Sequence, residues 1–284
     1  MSSTSPALFF SYPRADRRRC AHLLRELRAR TQVWRDEDRV AEFSSITDAV
    51  ERGLAQCRLF VAFYSERYAE SHACQTELFA AWQAAVRLGD PAERIVVVNP
   101  DEGVSHIQPV ELRDARFIAH RPAARAAATI VERLGQLRGS LTAEVVSAPP
   151  AWFGWTPVGS RRFVGRHRES WSIHSGLRSG EHRMVVRSRV PLVQLVGVGG
   201  VGKSMLAEQY GLRFGAAWPG GVVWLRAGEP LDDGLRRILR AFDAETDGAT
   251  QALRGRLSRL FETRGRYLWV VDDVPDGLDR DELA

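Results

Sequence analysis

RLFVAFYSERYAESHACQTEL, residues 58–78, joins an apolar run of strand length to the start of a helix. The run RLFVAFY, residues 58–64, shows no alternation with polar side chains, which is typical of a strand buried on both faces of a parallel sheet. Beyond it, apolar side chains recur at helical spacing and predict a helix over 75–88. A buried strand that leads into an amphipathic helix is the repeating unit of an α/β fold.

The alternation of strand and helix extends to both sides of this stretch. Further apolar runs of strand length and further amphipathic patterns occur between residues 1 and 138. The predicted strands are 7–10, 32–34 and 94–98, and the predicted helices are 15–30, 46–54 and 122–137. Short strands that alternate with helices form parallel sheets covered on both faces. We therefore predict a doubly wound α/β domain over 1–138.

Residues 139–160 have a different composition. They contain the pair Pro149-Pro150 and several glycines and show no helical period, so we predict a linker in which Trp152 and Trp155 contact a neighbouring surface. A second α/β pattern covers 161–284 and predicts another doubly wound parallel sheet. Its predicted strands are 190–196, 221–225 and 267–271, and its predicted helices are 204–214, 231–242 and 248–264.

The composition excludes several classes of protein. No run of about 18 apolar residues occurs, so we expect no membrane span. The N-terminus lacks a basic region before an apolar segment, and the three cysteines lack metal-site spacing, so we expect a cytoplasmic protein without a secretory signal. The net charge is +5, but arginines and acids alternate along the predicted helices, so we expect no nucleic-acid binding.

GVGGVGKS, residues 197–204, contains the only lysine of the chain, although Lys and Arg together number 40. Glycines allow backbone N–H groups to curl around a phosphate in front of a helix N-terminus. A lysine ammonium is a compact charge that fits such a nest of amides better than the planar guanidinium of arginine. The stretch follows a predicted strand and opens a predicted helix, which is the context of the phosphate-binding pattern G-x-x-x-x-G-K-S.

YLWVVDD, residues 267–273, ends an apolar strand with two acids. We expect Asp272 to bind Mg²⁺ together with Ser204, and Asp273 to orient an attacking water. The alternative interpretation is a turn that happens to carry two acids. The glycine-rich stretch upstream favours a nucleotide site.

Residues 161–284 resemble the STAND class of P-loop ATPases, the NB-ARC-like switches of immune receptors. FVGR, residues 163–166, resembles the motif at which that domain begins, and LWVVDDV, residues 268–274, resembles its Walker B motif. The resemblance implies binding of ATP or ADP with Mg²⁺. The implied nucleotide-binding residues are Val164, Gly165, Arg166, Gly197, Gly199, Gly200, Val201, Gly202, Lys203, Ser204 and Met205.

The elements that this family places after Walker B do not occur before Ala284. We therefore expect residues 161–284 to be the incomplete N-terminal part of such a domain. We also expect this part to bind nucleotide weakly and to show little ATPase activity.

Residues 5–137 resemble the TIR domain, the toll/interleukin-1 receptor homology fold, which is flavodoxin-like. FFSY, residues 9–12, resembles the family's opening F-x-S-Y, and VWRDED, residues 33–38, resembles the strand and acidic turn before its BB loop. A third stretch reproduces the spacing Y-x-x-S-x-x-C-x-x-E-L with Tyr68, Ser71, Cys74, Glu77 and Leu78. All three stretches lie at the carboxyl ends of predicted strands, where open parallel sheets bind ligands.

The TIR resemblance implies an enzyme that cleaves NAD⁺ between nicotinamide and ribose, with Glu77 as the catalytic carboxylate. Nicotinamide leaves as a neutral ring, so the reaction needs no general acid, and a carboxylate can stabilise the positive charge that develops on the ribose. The other implied residues of the NAD⁺ pocket are Phe10, Ser11, Arg14, Trp34, Phe43 and Cys74.

Four of these residues have an alternative interpretation. Glu77 lies in the first turn of the predicted helix, where an acid complements the helix dipole. Trp34 and Phe43 are equally typical of core residues. Cys74 is typical of a small buried side chain rather than a nucleophile.

The sequence leaves two functions open. The first is an NAD⁺ glycohydrolase for defence signalling against phage, activated by self-association of TIR domains under control of an ATP/ADP switch. The second is a non-enzymatic adaptor that binds other TIR domains and whose only chemistry is nucleotide exchange. Ala73, where the family often has tryptophan, and Val40-Ala41-Glu42-Phe43, where it has a proline-glycine turn, favour the adaptor. A metabolic P-loop ATPase would leave the first domain unexplained.

Overall fold

The computed structural model describes residues 7–34, 46–89, 91–114, 118–141, 150–160, 163, 165–178, 191–262 and 265–275. Sheet A contains β1 (Leu8–Ser11), β2 (Val33–Trp34), β3 (Leu59–Phe63), β4 (Ile95–Asn99) and β5 (Ile118–Ala119). Its strands are parallel and lie in the order β2-β1-β3-β4-β5, as predicted for a doubly wound sheet. The order reverses between β1 and β3, so the carboxyl ends of these two strands flank the topological switch point.

Six helices accompany sheet A in the described part of its sequence. They are α1 (Arg17–Arg28), α2 (Ile46–Gln56), α3 (Glu66–Glu70), α4 (His72–Leu88), α5 (Glu111–Asp114) and α6 (Ala123–Gln136). Apolar side chains of α1 and α6 form one buried cluster with Leu8, Phe10 and Val61 of the sheet. The opposite face of β1 carries Phe9, which stacks on Phe60 at a centroid distance of 5.2 Å. Both faces of the sheet are therefore buried, which explains the uninterrupted apolar run of β3.

A further helix, α7 (His167–Arg178), packs on α4. Contacts divide the chain into two units, of which the first combines Met1–Val146 with Gly165–Ser179 and the second combines Ser147–Val164 with Gly180–Ala284. This division differs from the predicted boundary at residue 161, because α7 belongs with the first unit. Its amphipathic pattern was not among the predicted helices.

Aromatic side chains hold α7 against α4. The fully buried Trp171 lies 5.2 Å from Phe79 and 5.7 Å from Trp82 between ring centroids. Polar contacts surround this cluster: Glu111 Oε1 lies 3.0 Å from both His174 Nε2 and Arg178 Nε. Removal of α7 would therefore expose two large apolar rings on the helix that carries Glu77.

The second unit contains the parallel sheet B, formed by β6 (Trp152–Phe153), β7 (Gly221–Arg226) and β8 (Tyr267–Asp272) in this order. Its helices are α8 (Lys203–Arg213), α9 (Leu231–Ala241) and α10 (Thr250–Phe261). Val223 packs with α9 and α10, whereas Val222 approaches Gly211 of α8, so helices lie on both faces of the sheet. The predicted linker 139–160 thus contributes the strand β6.

Tryptophans anchor the segment around β6, as predicted for Trp152 and Trp155. The ring of Trp155 stacks on Trp224 at 5.5 Å, and its Nε1 donates to Glu208 at 2.9 Å. Trp152 reaches Gly211, where an added Cβ would lie 2.9 Å from the indole ring. The missing side chain of Gly211 therefore permits α8 to approach the sheet.

The predicted strand over 190–196 is wrong for its described residues. Residues 191–196 form no strand, and Val196 is 82% exposed. An apolar run becomes a buried strand only when a neighbouring strand satisfies its backbone and helices cover its faces. Within the described residues of sheet B, no strand pairs with this segment.

The remaining predicted helices are confirmed within three residues at each end, because their apolar spacing matches a buried face. The helix α8 begins immediately after Gly202, whose φ is 88°. In the part of the chain that the structure describes, no helix combines the length and apolar character that a membrane crossing requires.

We predict that Trp171→Ala will lower the free energy of unfolding of the first unit by about 3–5 kcal/mol, because it leaves a cavity between α7 and α4. Denaturant titration of the full chain, with hydrogen exchange of α4 amides to locate the change, will measure it. The neighbouring exposed Ser172 provides the control, and Ser172→Ala should stay within about 0.5 kcal/mol. Equal small effects would contradict the packing role of Trp171.

The contribution of the contact between α5 and α7 to stability should depend on pH. Burial raises the pKa of Glu111, but the hydrogen bond and charge of His174 and the charge of Arg178 outweigh burial and hold that pKa below its ordinary 4.5. Since the folded pKa is depressed, the contribution to stability is complete above pH 4.5 and is lost as the pH falls through the folded value.

We therefore predict that acidification from about pH 6 to about pH 3 will destabilise the wild-type protein more than Glu111→Gln. Unfolding free energies at the two pH values will give the difference. Glu169→Gln, at an exposed acid of α7, should keep the wild-type pH dependence. The same pH dependence in all three proteins would contradict this prediction.

Candidate functional site

A buried polar cluster lies at the carboxyl ends of β1 and β3. Ser11 ends β1, Tyr68 lies in α3 directly after β3, and Glu77 lies in α4. Ser11 Oγ donates to Glu77 Oε2 at 2.5 Å and lies 2.8 Å from the hydroxyl of Tyr68. Glu77 is 7% exposed, and the other two side chains are more deeply buried. A carboxylate therefore faces the switch point of the sheet, where ligands of such folds bind.

Two serine caps place these side chains. Ser65 Oγ accepts from the backbone N–H of Tyr68 at 3.3 Å and starts α3. Ser71 Oγ accepts from the N–H of Cys74 at 3.4 Å and starts α4 at His72. The helix thus begins three residues before the predicted start at Gln75, which moves Glu77 out of the first turn. Because a helix dipole acts mainly within the first turn, it does not account for Glu77 at this position.

The groups beside Glu77 keep their protons at neutral pH. Burial, with the charge of Glu77 as a second cause, raises the pKa of Cys74 to about 12. Burial also raises the pKa of Tyr68 well above its ordinary range, and Cys74 and Glu77 add to the effect. A protonated thiol of this kind is a poor nucleophile, which agrees with the interpretation of Cys74 as a small buried residue.

The structure brings only part of the predicted NAD⁺ pocket together. Ser11 touches Glu77, and Cys74 lies one helical turn before it. Phe10 does not join them, because alternation along β1 directs it into the cluster with α1 and α6. Arg14 is exposed in the short turn after β1.

The other two predicted aromatic residues of the pocket have different outcomes. Trp34 is a core residue: its ring lies 4.4 Å from Phe9, and a Cβ added to Gly53 would lie 2.6 Å from it. Its interpretation as a core side chain is therefore the one that its contacts favour. Phe43 falls outside the described residues.

Two polar residues at this edge, Asp16 and Ser65, were not among the site residues predicted from the sequence. Asp16 is fully buried, and its Oδ2 accepts from Ser65 Oγ at 2.5 Å. Its Oδ1 lies 3.4 Å from Arg19 Nη1 and 3.8 Å from Arg67 Nη1. In a sequence, an acid followed by three arginines is typical of a solvated helix start, so only the fold reveals that Asp16 is buried. A buried carboxylate requires such partners.

The glycine-rich stretch of the second unit forms a turn that opens α8. Gly200 and Gly202 have φ of 76° and 88°, which only glycine adopts without strain. A Cβ added at Gly199, Gly200 or Gly202 would meet nothing within 4 Å, so open space lies beside the turn. Lys203 Nζ donates to the carbonyls of Gly197 at 2.9 Å and Val198 at 3.3 Å.

The predicted Mg²⁺ ligands lie side by side in the second unit. Ser204 Oγ, in the first turn of α8, donates to Asp272 Oδ1 at the end of β8 at 2.9 Å. The next residue, Asp273, has φ of 56°, a strained value for a residue with a side chain. Hydroxyl and carboxylate oxygens are ligands that Mg²⁺ prefers, so this pair fits the implied cation.

The other predicted nucleotide residues are divided between the units. Gly197, Gly199 and Val201 share the turn, and Met205 is exposed in α8. Gly165 and Arg166 belong to the first unit, just before α7, whereas Val164 lies outside the described residues. Within those residues, no three or more His, Cys, Asp or Glu side chains form a metal-binding group.

Comparison with known proteins finds one family model and several solved structures that are similar to part of the chain. No curated protein matches it. The solved structure of a metazoan TIR-STING receptor from C. gigas is similar, with 18% identity over 47% of this chain and 41% of its own, and a TM-score of 0.38. The TIR domains of the activated Roq1 resistosome, which directly recognises the pathogen effector XopQ, are 20% identical over 48% of this chain and 86% of theirs, with a TM-score of 0.32.

At these values the two structural similarities support neither a shared activity nor shared partners. The chain spans about two fifths of the length of the C. gigas receptor. The family model described as TIR domain matches residues 8–132, which agrees with the resemblance found over 5–137 and covers less than half of the chain. Residues 8–132, with sheet A and the cluster around Glu77, are thus the part of this protein that matches the TIR domains.

Proposed function

We propose that the first unit is an NAD⁺ glycohydrolase with Glu77 as its catalytic carboxylate. One observation carries this proposal: an acid that is only 7% exposed points to the switch point of a parallel sheet and accepts a hydrogen bond of 2.5 Å from Ser11. Burial of an acid costs free energy, and Glu77 lies beyond the first turn of α4, where the helix dipole does not account for it. A functional role explains why such a position holds glutamate.

The proposed reaction breaks the bond between the ribose C1′ and the nicotinamide nitrogen. The bonding electron pair leaves with the ring, which becomes neutral, and positive charge develops at C1′ and the ring oxygen of the ribose. The carboxylate of Glu77 stabilises that charge in a site with little water, where electrostatic attraction is strong. Water then attacks C1′ and releases a proton, which yields ADP-ribose and free nicotinamide.

We propose further that the second unit binds ATP or ADP with Mg²⁺. Ser204 and Asp272 would hold the cation, and the N–H groups of the glycine turn with Lys203 would hold the phosphates. The bound cation would neutralise phosphate charge. The pair at 2.9 Å and the open space beside the glycines support this proposal.

Self-association is the proposed link between the two activities. In this scheme, first units are active only when several copies assemble, and the nucleotide state of the second unit controls assembly in an immune signalling role. The alternative is a non-enzymatic adaptor that binds other TIR domains. Nicotinamide release by the assembled protein separates the two functions.

We predict that concentrated or cross-linked protein will release nicotinamide from NAD⁺ and that Glu77→Gln will lower this rate at least about 100-fold, because the neutral amide cannot stabilise the developing charge. Chromatography of free nicotinamide will measure the rate. Glu70→Gln, at an exposed acid of α3, provides the control and should retain the wild-type rate. No release by any assembled form would support the adaptor, and equal rates for both variants would remove Glu77 from its role.

We predict that millimolar ADP with Mg²⁺ will raise the unfolding temperature of the second unit in the wild type, since a ligand that binds only the folded state stabilises it. The shift should vanish in Lys203→Met, which lacks the charge that meets the phosphates. Arg259→Met, at an exposed cation of α10, should keep the shift. Differential scanning fluorimetry will measure it, and an unchanged shift in Lys203→Met would exclude this phosphate site.

A further inference from the structure

We propose that Asp16, Ser65 and Tyr68 position the carboxylate of Glu77 through Ser11, an inference that rests on the proposed NAD⁺ cleavage. The five residues form one hydrogen-bonded chain at the carboxyl edge of sheet A, in which the backbone N–H of Tyr68 provides the link to Ser65. Their exposed fractions are 0% for Asp16, Ser65 and Tyr68, 2% for Ser11 and 7% for Glu77. Bulk water therefore has little access to the chain, and each member depends on its neighbours for hydrogen bonds.

Each hydrogen bond between Tyr68, Ser11 and Glu77 has a defined donor. A carboxylate only accepts hydrogen bonds, and a serine hydroxyl has a single proton. Because Ser11 Oγ donates to Glu77 Oε2, the hydroxyl of Tyr68, 2.8 Å away, must donate to Ser11. Burial raises the pKa of Tyr68 well above its ordinary range, so the phenol keeps the proton that it donates. Tyr68 thereby fixes the rotation of the Ser11 hydroxyl toward Glu77.

Asp16 and Ser65 act at the other end, on the backbone of Tyr68. Ser65 Oγ donates to Asp16 Oδ2 at 2.5 Å and accepts from the Tyr68 N–H at 3.3 Å. A serine hydroxyl that caps a helix can rotate away, and the bond to Asp16 prevents this rotation. The start of α3, and with it the hydroxyl of Tyr68, is thus fixed from both sides. The hydrogen bonds of these three residues lead to Glu77 through Ser11, so we regard them as positioning residues.

Two neighbouring tyrosines of the protein provide a matched pair of variants. Tyr64 and Tyr68 are both fully buried, and their ring centroids lie 4.4 Å apart. The Tyr64 hydroxyl has other partners: it donates to the Gln108 carbonyl at 3.2 Å, and it accepts from the Gln108 N–H at 3.1 Å and from Gln75 Nε2 of α4 at 3.5 Å. Each change to phenylalanine removes one buried hydroxyl from the same core, but only Tyr68→Phe breaks the chain to Glu77.

We expect Tyr68→Phe to lower kcat for nicotinamide release at least about 10-fold with KM within about 2-fold, since a misplaced carboxylate loses transition-state rather than ground-state stabilisation. Tyr64→Phe should change both constants less than about 2-fold. Unfolding temperatures of both variants will show whether their losses of stability are equal. Equal kcat values in two equally destabilised variants would overturn the inference.

A second measurement on the full chain does not need activity. The side-chain carboxyl carbon of Glu77, assigned in a ¹³C NMR spectrum by its loss in Glu77→Gln, should shift in Tyr68→Phe and not in Tyr64→Phe. If the wild type releases no nicotinamide but this shift occurs, the proposed NAD⁺ cleavage fails while the positioning stands. An unmoved signal in Tyr68→Phe would overturn the positioning even in an active enzyme.

Two substitutions of Asp16 test the end of the hydrogen-bonded chain that lies farthest from Glu77. Asp16→Asn keeps an oxygen that can accept from Ser65, whereas Asp16→Ala removes the acceptor. We expect Asp16→Ala to show the kcat loss and carboxyl shift of Tyr68→Phe, and Asp16→Asn to restore both. If Asp16→Asn is as impaired as Asp16→Ala, the charge of Asp16 toward Arg19 and Arg67 is the property that matters, and the proposed path through Ser65 is overturned.

Discussion

The pairing of β1 with β3 is the constraint on which the first unit depends. Leu8 pairs with Leu59 and Ser11 with Ala62, so both strands end at the same level of the sheet. Ser11 at the end of β1, Asp16 after β1 and Ser65 after β3 therefore lie at one edge. A shift of this register by one residue would turn every side chain of β1 to the other face and separate Ser11 from Glu77. The buried apolar faces of both strands make such a shift costly.

Part of the candidate site was predictable from the sequence. The spacing of Tyr68, Cys74 and Glu77 predicted that an acid would follow the third strand, and the structure places it at the switch point. Alternation along β1 separated Phe10 from Ser11, a distinction that depends on which face carries α4 and cannot be derived from β1 alone. The N-cap at Ser71 is also a local feature of the sequence. The helix was nevertheless predicted to begin later, because His72 and Ala73 do not fit the apolar helical spacing.

Other differences arose where tertiary contacts override local pattern. Asp16 has the sequence context of a surface residue, and only the contacts with Ser65 and Arg67, at the start of α3, allow its burial. Residues 191–196 have the composition of a buried strand, but no described strand of sheet B pairs with them. Trp171 had no predicted role, because the surface that it covers belongs to α4, far away in the sequence.

The chain passes between the two units three times, near residues 146, 164 and 179. The first passage leads to β6 in sheet B, and the middle passage returns the chain to the first unit as α7. Exchange of the first unit between related proteins, by recombination or by design, therefore cannot use a single junction after residue 146. A junction there would separate Trp171 from Phe79, and one after residue 178 would transfer β6 away from β7. The two units are interleaved in sequence, and they are expected to be inherited together.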